Sequence, residues 1–175
     1  RARGRGVGTR NYIVVLGTSS RTTGFARELA ARFADADTLG VDGVVAIAHT
    51  EGGGWEKPNN EEHLLRTLAG FVVHPNVAAV LAVDYGSEAV NNQILQDYMA
   101  RNDYPLGSVP HLFMSIDGGF AGRLLAGERQ IRRWLAEAGA ERSAQPLEHL
   151  RLALQCGGSD AFSGISGNPL ASWVA

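Results

Sequence analysis

Val77-Ala78-Ala79-Val80-Leu81-Ala82-Val83, followed at once by Asp84-Tyr85-Gly86-Ser87-Glu88, is the stretch that decides the fold. An unbroken apolar run of strand length, stopped by small and polar residues, reads as a buried strand. Similar runs stand at 12–16, 44–48, 111–116 and 150–154. Between them the apolar residues change to helical spacing. Residues 23–33 carry Phe25, Leu29 and Phe33, and 61–73 carry Leu64, Leu65, Leu68 and Val72. The same pattern covers 88–100 and 120–138, the second with Leu124, Leu125, Ile131 and Leu135 facing inward. Strand runs alternating with helices are the signature of βαβ units. They predict an α/β fold: an open, mainly parallel, Rossmann-like sheet of about five strands with helices on both faces.

A chain of 175 residues is long enough for one core and short for two, so a basic arm over 1–10 and a single α/β domain over 11–175 are expected. Its composition, 45% hydrophobic and 19% charged with net charge −2, excludes wholesale disorder and gives no electrostatic case for nucleic acid. Arg1, Arg3, Arg5 and Arg10 crowd the glycine-rich opening, which reads either as a solvated tail or as an arm that touches an anion. No run reaches membrane-span length and none forms a signal core. A single cysteine forms no internal disulfide, so the reducing cytoplasm is the expected location. Asn168-Pro169 opens a helix that only six residues remain to build, as in a piece cut from something longer.

In a parallel sheet the residues just after each strand gather at one edge, where open α/β sheets bind ligands. Here those residues are small and polar. They run Gly17-Thr18-Ser19-Ser20-Arg21-Thr22-Thr23-Gly24, His49-Thr50-Glu51-Gly52-Gly53-Gly54, 84–88, Asp117-Gly118-Gly119, and the segment from Cys156 to Asn168. The first superficially resembles a phosphate loop but lacks its lysine, and His49 replaces the acidic residue that holds a ribose, which disfavours a dinucleotide. His49 and Glu51, two apart on an extended segment, can face one cleft as base and acid or share a metal. A lone histidine after a strand is often structural, but the adjacent glycines clear bulk around this pair. The late segment reads as a site bearing a thiol, hydroxyls and a carboxylate, or as a Gly/Ser loop over a buried thiol.

Three stretches carry a family resemblance: Gly6-Val7-Gly8-Thr9-Arg10-Asn11-Tyr12-Ile13; His49-Thr50-Glu51-Gly52-Gly53-Gly54 with His74-Pro75-Asn76-Val77; and Gln155-Cys156-Gly157-Gly158-Ser159-Asp160-Ala161-Phe162-Ser163-Gly164-Ile165-Ser166-Gly167-Asn168-Pro169. Together they resemble the altronate and galactarate dehydratases, along nearly the whole chain. The resemblance implies a lyase that removes water from a sugar acid to give a 2-keto-3-deoxy acid, with a related branch that eliminates sulfite from sulfolactate. It implies a divalent metal, iron(II) first, with manganese or magnesium as alternatives. The implied partners are the sugar acid, the rest of a parent enzyme and a homo-oligomer, with neither nucleic acid nor membrane.

Carried onto this sequence, the resemblance implies His49, Glu51, Ser159 and Asp160 as catalytic residues and His49, Glu88 and Cys156 as metal ligands. Arg10, Asn11, Thr18, Ser163 and Asn168 are implied as substrate contacts. Two positions depart from the family pattern: Gly53 and Ser87 stand where the family commonly has cysteine. A noncatalytic sugar-acid-binding or assembly module of the same fold is the alternative from another class; it predicts binding without turnover.

Overall fold

The computed structural model describes residues 2–36, 40–155, 157–158 and 160–174. In chain order the elements are β1 (Ala2–Arg3), β2 (Gly6–Val7), β3 (Tyr12–Gly17), α1 (Thr23–Ala31), β4 (Gly43–Ile47), α2 (Glu61–Val72), β5 (Val77–Asp84), α3 (Asn92–Arg101), β6 (His111–Ser115), α4 (Phe120–Glu137) and α5 (Asn168–Val174). The chain divides into two compact units, Arg1–Ala144 and Gln145–Ala175.

In the first unit β4, β3, β5 and β6 lie side by side in that order, every pair parallel. Strand side chains alternate between the faces, so a strand covered on both sides must be apolar throughout. That is why β3 and β5 read as unbroken runs. Ile13, Val15, Leu81 and Val83 meet Phe25 and Leu29 of α1 and Ile131 and Trp134 of α4 on one face. Val14, Leu16, Val80 and Ala82 meet Leu64 and Leu68 of α2 and Leu95 and Met99 of α3 on the other. At about 1.5–3 kcal/mol for each fully buried large aliphatic side chain, these two layers dominate the favourable side of folding. Gly127 of α4 faces Leu29 and Leu81, and a Cβ there would stand 2.6 Å from a Leu29 methyl, so its missing side chain lets α4 approach the sheet.

Two expectations are corrected. The run at 150–154 forms no strand: Leu150, Leu152 and Leu154 are exposed, and the sheet has four strands. A strand requires a neighbour to complete its ladder, and no described strand pairs with this run. The basic opening is not a solvated tail either. β1 and β2 form a small antiparallel hairpin, and Arg5 donates Nη1 to the Val73 and His74 carbonyls and Nη2 to the Val77 carbonyl.

The second unit carries a helical segment whose first turns widen into a π-turn at Ser163–Gly167 before α5. Pro169 explains the widening. It has no N–H to donate, and its ring would press on the carbonyl four residues back, so the regular ladder cannot pass through it. Asn168 therefore lies within the helix, with helical φ −67° and ψ −45°, and is not its N-cap. Asp160 takes that role. Its Oδ1 accepts the Ser163 N–H at 2.6 Å while Ser163 Oγ accepts the Asp160 N–H at 3.2 Å, a reciprocal cap.

Candidate active site

The strand order defines where a ligand fits. From β3 the chain crosses by α1 to β4 on one side, then returns by α2 to β5 on the other. Crossovers that leave in opposite directions open a crevice at the carboxyl ends of β3 and β5, the switch point where doubly wound sheets take ligands.

That crevice is floored by buried polar groups: Thr18, Ser19, Asp84, Glu88 and Asn92. Each is satisfied. Thr18 Oγ1 donates to Asn92 Oδ1 at 2.7 Å, and Asn92 Nδ2 reaches the Ala82 and Met114 carbonyls at 3.4 and 3.3 Å, tying β3, β5 and β6 together. Glu88, 3% exposed, accepts Ser19 Oγ at 3.0 Å, the Tyr85 N–H at 2.9 Å and the Ser87 N–H at 3.0 Å. Its carboxylate thus organises the turn after β5. Asn91 caps α3 by accepting the Ile94 N–H at 3.0 Å, which starts that helix four residues later than the apolar spacing from 88 suggests.

Asp84 is the acid best placed for proton transfer. It ends β5, accepts Ser115 Oγ at 2.6 Å and the Asn92 N–H at 2.7 Å, and lines an open cavity of about 250 Å³ with Ser115, Asn91, Gln96 and Phe113. Burial holds its carboxyl above the ordinary carboxylate range, against the pull of the Ser115 hydroxyl and the Asn92 amide, and the charges of Glu88 and Asp117 push the same way as burial. Asp84 lies in the strand-end stretch 84–88 but was assigned no role, and Asn92 and Ser115 were not expected at the site. The signal for Asp84 was present in the sequence, as the first carboxylate after the longest buried run.

His49 has a different surrounding. Its Nε2–H donates to the Gly17 carbonyl at 3.0 Å and its Nδ1 accepts the Glu51 N–H at 3.2 Å. Both nitrogens are therefore engaged in a neutral ring, and burial lowers its pKa although the Gly17 carbonyl and Glu51 oppose that. To act as a base or a metal ligand the ring must first give up one of these bonds. Glu51 is exposed, and its carbonyl accepts the Ser20 N–H at 2.8 Å.

Two of the other expected residues lie at the opposite edge of the sheet. Arg10 and Asn11 sit at the amino end of β3, and six strand residues put about 20 Å between them and the crevice. Asn11 is buried and donates to the Gly40 and Ala138 carbonyls at 2.7 and 2.9 Å. Asn76 Oδ1 accepts the Thr9 and Arg10 N–H groups, so the opening motif and the His74-Pro75-Asn76-Val77 turn brace one another at that far edge. Asp160, Ser163 and Asn168 belong to the second unit. Cys156 and Ser159 lie outside the described residues.

Among the described residues no three His, Cys, Asp or Glu groups gather closely enough to hold a divalent metal. Both His49 nitrogens are engaged, and the Glu88 carboxylate already accepts from Ser19 Oγ and from the Tyr85 and Ser87 N–H groups. A Cβ at Gly53 would run into Ser20 Oγ and come to 3.0 Å from Arg21 Cγ, so a side chain at that loop position requires the Ser20 hydroxyl to turn away.

A four-stranded, doubly wound parallel sheet with a polar crevice at its switch point defines a ligand-binding α/β domain. Residues 1–139 match the family model described as D-galactarate dehydratase/Altronate hydrolase, second domain, and 147–175 match D-galactarate/Altronate dehydratase, C-terminal. The chain belongs to this family. It is 32% identical over 167 residues to an altronate dehydratase of Bacillus subtilis (strain 168) and 31% identical over 169 residues to one of Escherichia coli (strain K12). These alignments cover 93% and 94% of the chain but 32% of each relative, so the chain spans about a third of their length. No solved structure matches it significantly. Among the described residues no helix is long and apolar enough to cross a membrane.

Proposed function

We propose that the chain is part of a sugar-acid dehydratase, a carbon–oxygen lyase that removes water from a polyhydroxy carboxylate such as altronate or galactarate. The observation that carries this reading is the family match over 1–139, which includes every residue of the crevice. The reaction breaks the C–H bond alpha to the carboxylate and the C–O bond beta to it. The C–H electron pair becomes a C=C bond, the hydroxyl leaves as water after gaining a proton, and the resulting enol becomes the 2-keto-3-deoxy acid.

Such chemistry needs a group that holds and moves a proton, and Asp84 supports that role. Its pKa is raised, and Ser115 and the α3 backbone fix its orientation. On the same cavity wall, Gln93 and Gln96 donate Nε2 to Asp97 and to the Asn92 carbonyl, which leaves their amide oxygens to accept from the hydroxyls of a sugar chain. Iron(II), manganese or magnesium stays in the proposal as a cofactor of the whole enzyme. The described residues do not offer its donor set, and no step here passes through it.

The test is turnover by the full-length protein, assayed anaerobically with altronate, galactarate and sulfolactate, with and without iron(II), and read as 2-keto acid or sulfite. A 2-keto product from a sugar acid supports the reading. Sulfite from sulfolactate alone replaces it with the sulfite-eliminating branch, and binding without product replaces it with the noncatalytic module.

A further inference from the structure

We propose that Arg21 receives the carboxylate of the ligand at this crevice, through the Nε and Nη2 edge of its guanidinium. That the carboxylate is a sugar acid's rests on the reading above; that Arg21 takes it rests on the residue's own surroundings. Arg21 lies in the Ser20–Thr22 turn directly after β3, at the switch-point edge of the sheet. Its guanidinium carbon stands 5.7 Å from the ring centre of Trp55 and 5.4 Å from that of Tyr85. Nη1 donates to Ser87 Oγ at 3.3 Å. Two aromatic faces and one hydroxyl thus hold a long side chain that in water samples many rotamers. The ordering that an arginine loses on gripping an anion is already in place.

What the clamp leaves over is the part that recognises carboxylates. Among the described residues no Asp or Glu pairs with Arg21, and its Nε and Nη2 hydrogen-bond to none of them. A planar guanidinium offers a carboxylate two parallel donors, a match that an ammonium cannot copy. The neighbouring cations at this edge are already paired, Arg123 with Asp117 and Lys57 with Glu61.

The loop from β4 is shaped around the arginine. Gly53 passes against the Arg21 stem, where a Cβ would come to 3.0 Å from Cγ, and Gly52 turns the chain with φ +72° over Val90. Two residues further on, Trp55 is 79% exposed, and the arginine is its stacking partner. A large apolar ring standing in water gains from a cation laid against its face.

The test is calorimetric titration of the full-length protein, wild type, Arg21→Gln and Arg21→Lys, with galactarate, altronate and the neutral galactaramide. Arg21→Gln is expected to raise the sugar-acid Kd by roughly 10- to 150-fold, the range for a hydrogen bond to a charged group, and to leave the amide's Kd unchanged. Arg21→Lys is expected to fall between, since it keeps the charge and loses the fork. Wild-type affinity in Arg21→Gln overturns the proposal and leaves the dehydratase reading standing. Equal loss of acid and amide in both variants also overturns it, as the mark of a structural role. If the wild type binds no sugar acid, titration with succinate, a dicarboxylate without hydroxyls, separates the two ideas. Succinate binding that Arg21→Gln abolishes keeps the carboxylate role and drops the sugar acid, whereas no succinate binding, or binding that Arg21→Gln leaves intact, overturns both.

Discussion

Thr18 was expected to touch substrate, yet it is fully buried and spends its hydroxyl on Asn92. If that bond staples the sheet, Asn92→Ala removes the acceptor and leaves a buried hydroxyl unsatisfied, at about 1–3 kcal/mol. Loss of the two longer bonds to the Ala82 and Met114 carbonyls and of side-chain packing brings the total to about 2–4 kcal/mol. Thr18→Val leaves the amide oxygen unsatisfied instead, at about 1–3 kcal/mol. Because both variants break the same bond, the double variant should be less damaged than the sum, by about 1–3 kcal/mol. Hydrogen exchange of the full-length protein reads this locally, in the peptides spanning β3 and β5. At about tenfold per 1.4 kcal/mol, the coupling should appear as roughly 5- to 150-fold in protection. Additivity within about 0.5 kcal/mol would refute the staple, as would a Thr18→Val enzyme of unchanged protection and raised KM.

Two further outcomes follow from the titrating groups. With its pKa raised by burial, folded Asp84 keeps a proton that the unfolded chain has already released above its ordinary 3.8. Stability should therefore fall as pH rises from about 4 through the folded value, and Asp84→Asn should flatten that slope while lowering turnover by about 100-fold or more. An unchanged slope in the denaturant midpoint between pH 4 and pH 7 would exclude Asp84 as its source. His49 is shifted the other way, so its contribution should be present above its ordinary 6.5 and fade as pH falls toward the lower folded value. With both ring nitrogens engaged, His49→Ala should leave iron(II) or manganese affinity of the full-length protein within a few-fold of wild type. A tenfold or larger loss would put the ring on a metal.

Periodicity carried the framework because burial on two faces leaves a direct mark on composition. The runs at 12–16, 44–48, 77–83 and 111–116 fall on β3, β4, β5 and β6 within a residue or two. The run at 150–154 failed because an apolar alternation states a preference for burial and says nothing of a pairing partner. The site was legible as an edge but not as residues. Strand-end chemistry pointed to the carboxyl edge of the sheet, yet His49 and Glu88 look reactive in one dimension and prove to be engaged with backbone N–H and C=O groups in three. Arg10 and Asn11 belong to a motif whose role is bracing at the far edge. Arg21 was passed over because its meaning comes from Trp55 and Tyr85, more than thirty residues away in each case.

The strand order also bears on how the chain is made. β3 sits between β4 and β5, but β5 is complete only about 65 residues after β3 leaves the ribosome. At roughly 5–20 residues per second, that is some 3 to 13 seconds of synthesis. β3 has no strand neighbour until β4 is complete at residue 47, and from then until β5 is complete it has one neighbour and one open edge. A nascent chain in that state is a template for pairing with its own copies, so yield in cells should depend on holdase chaperones acting before residue 84 is in place.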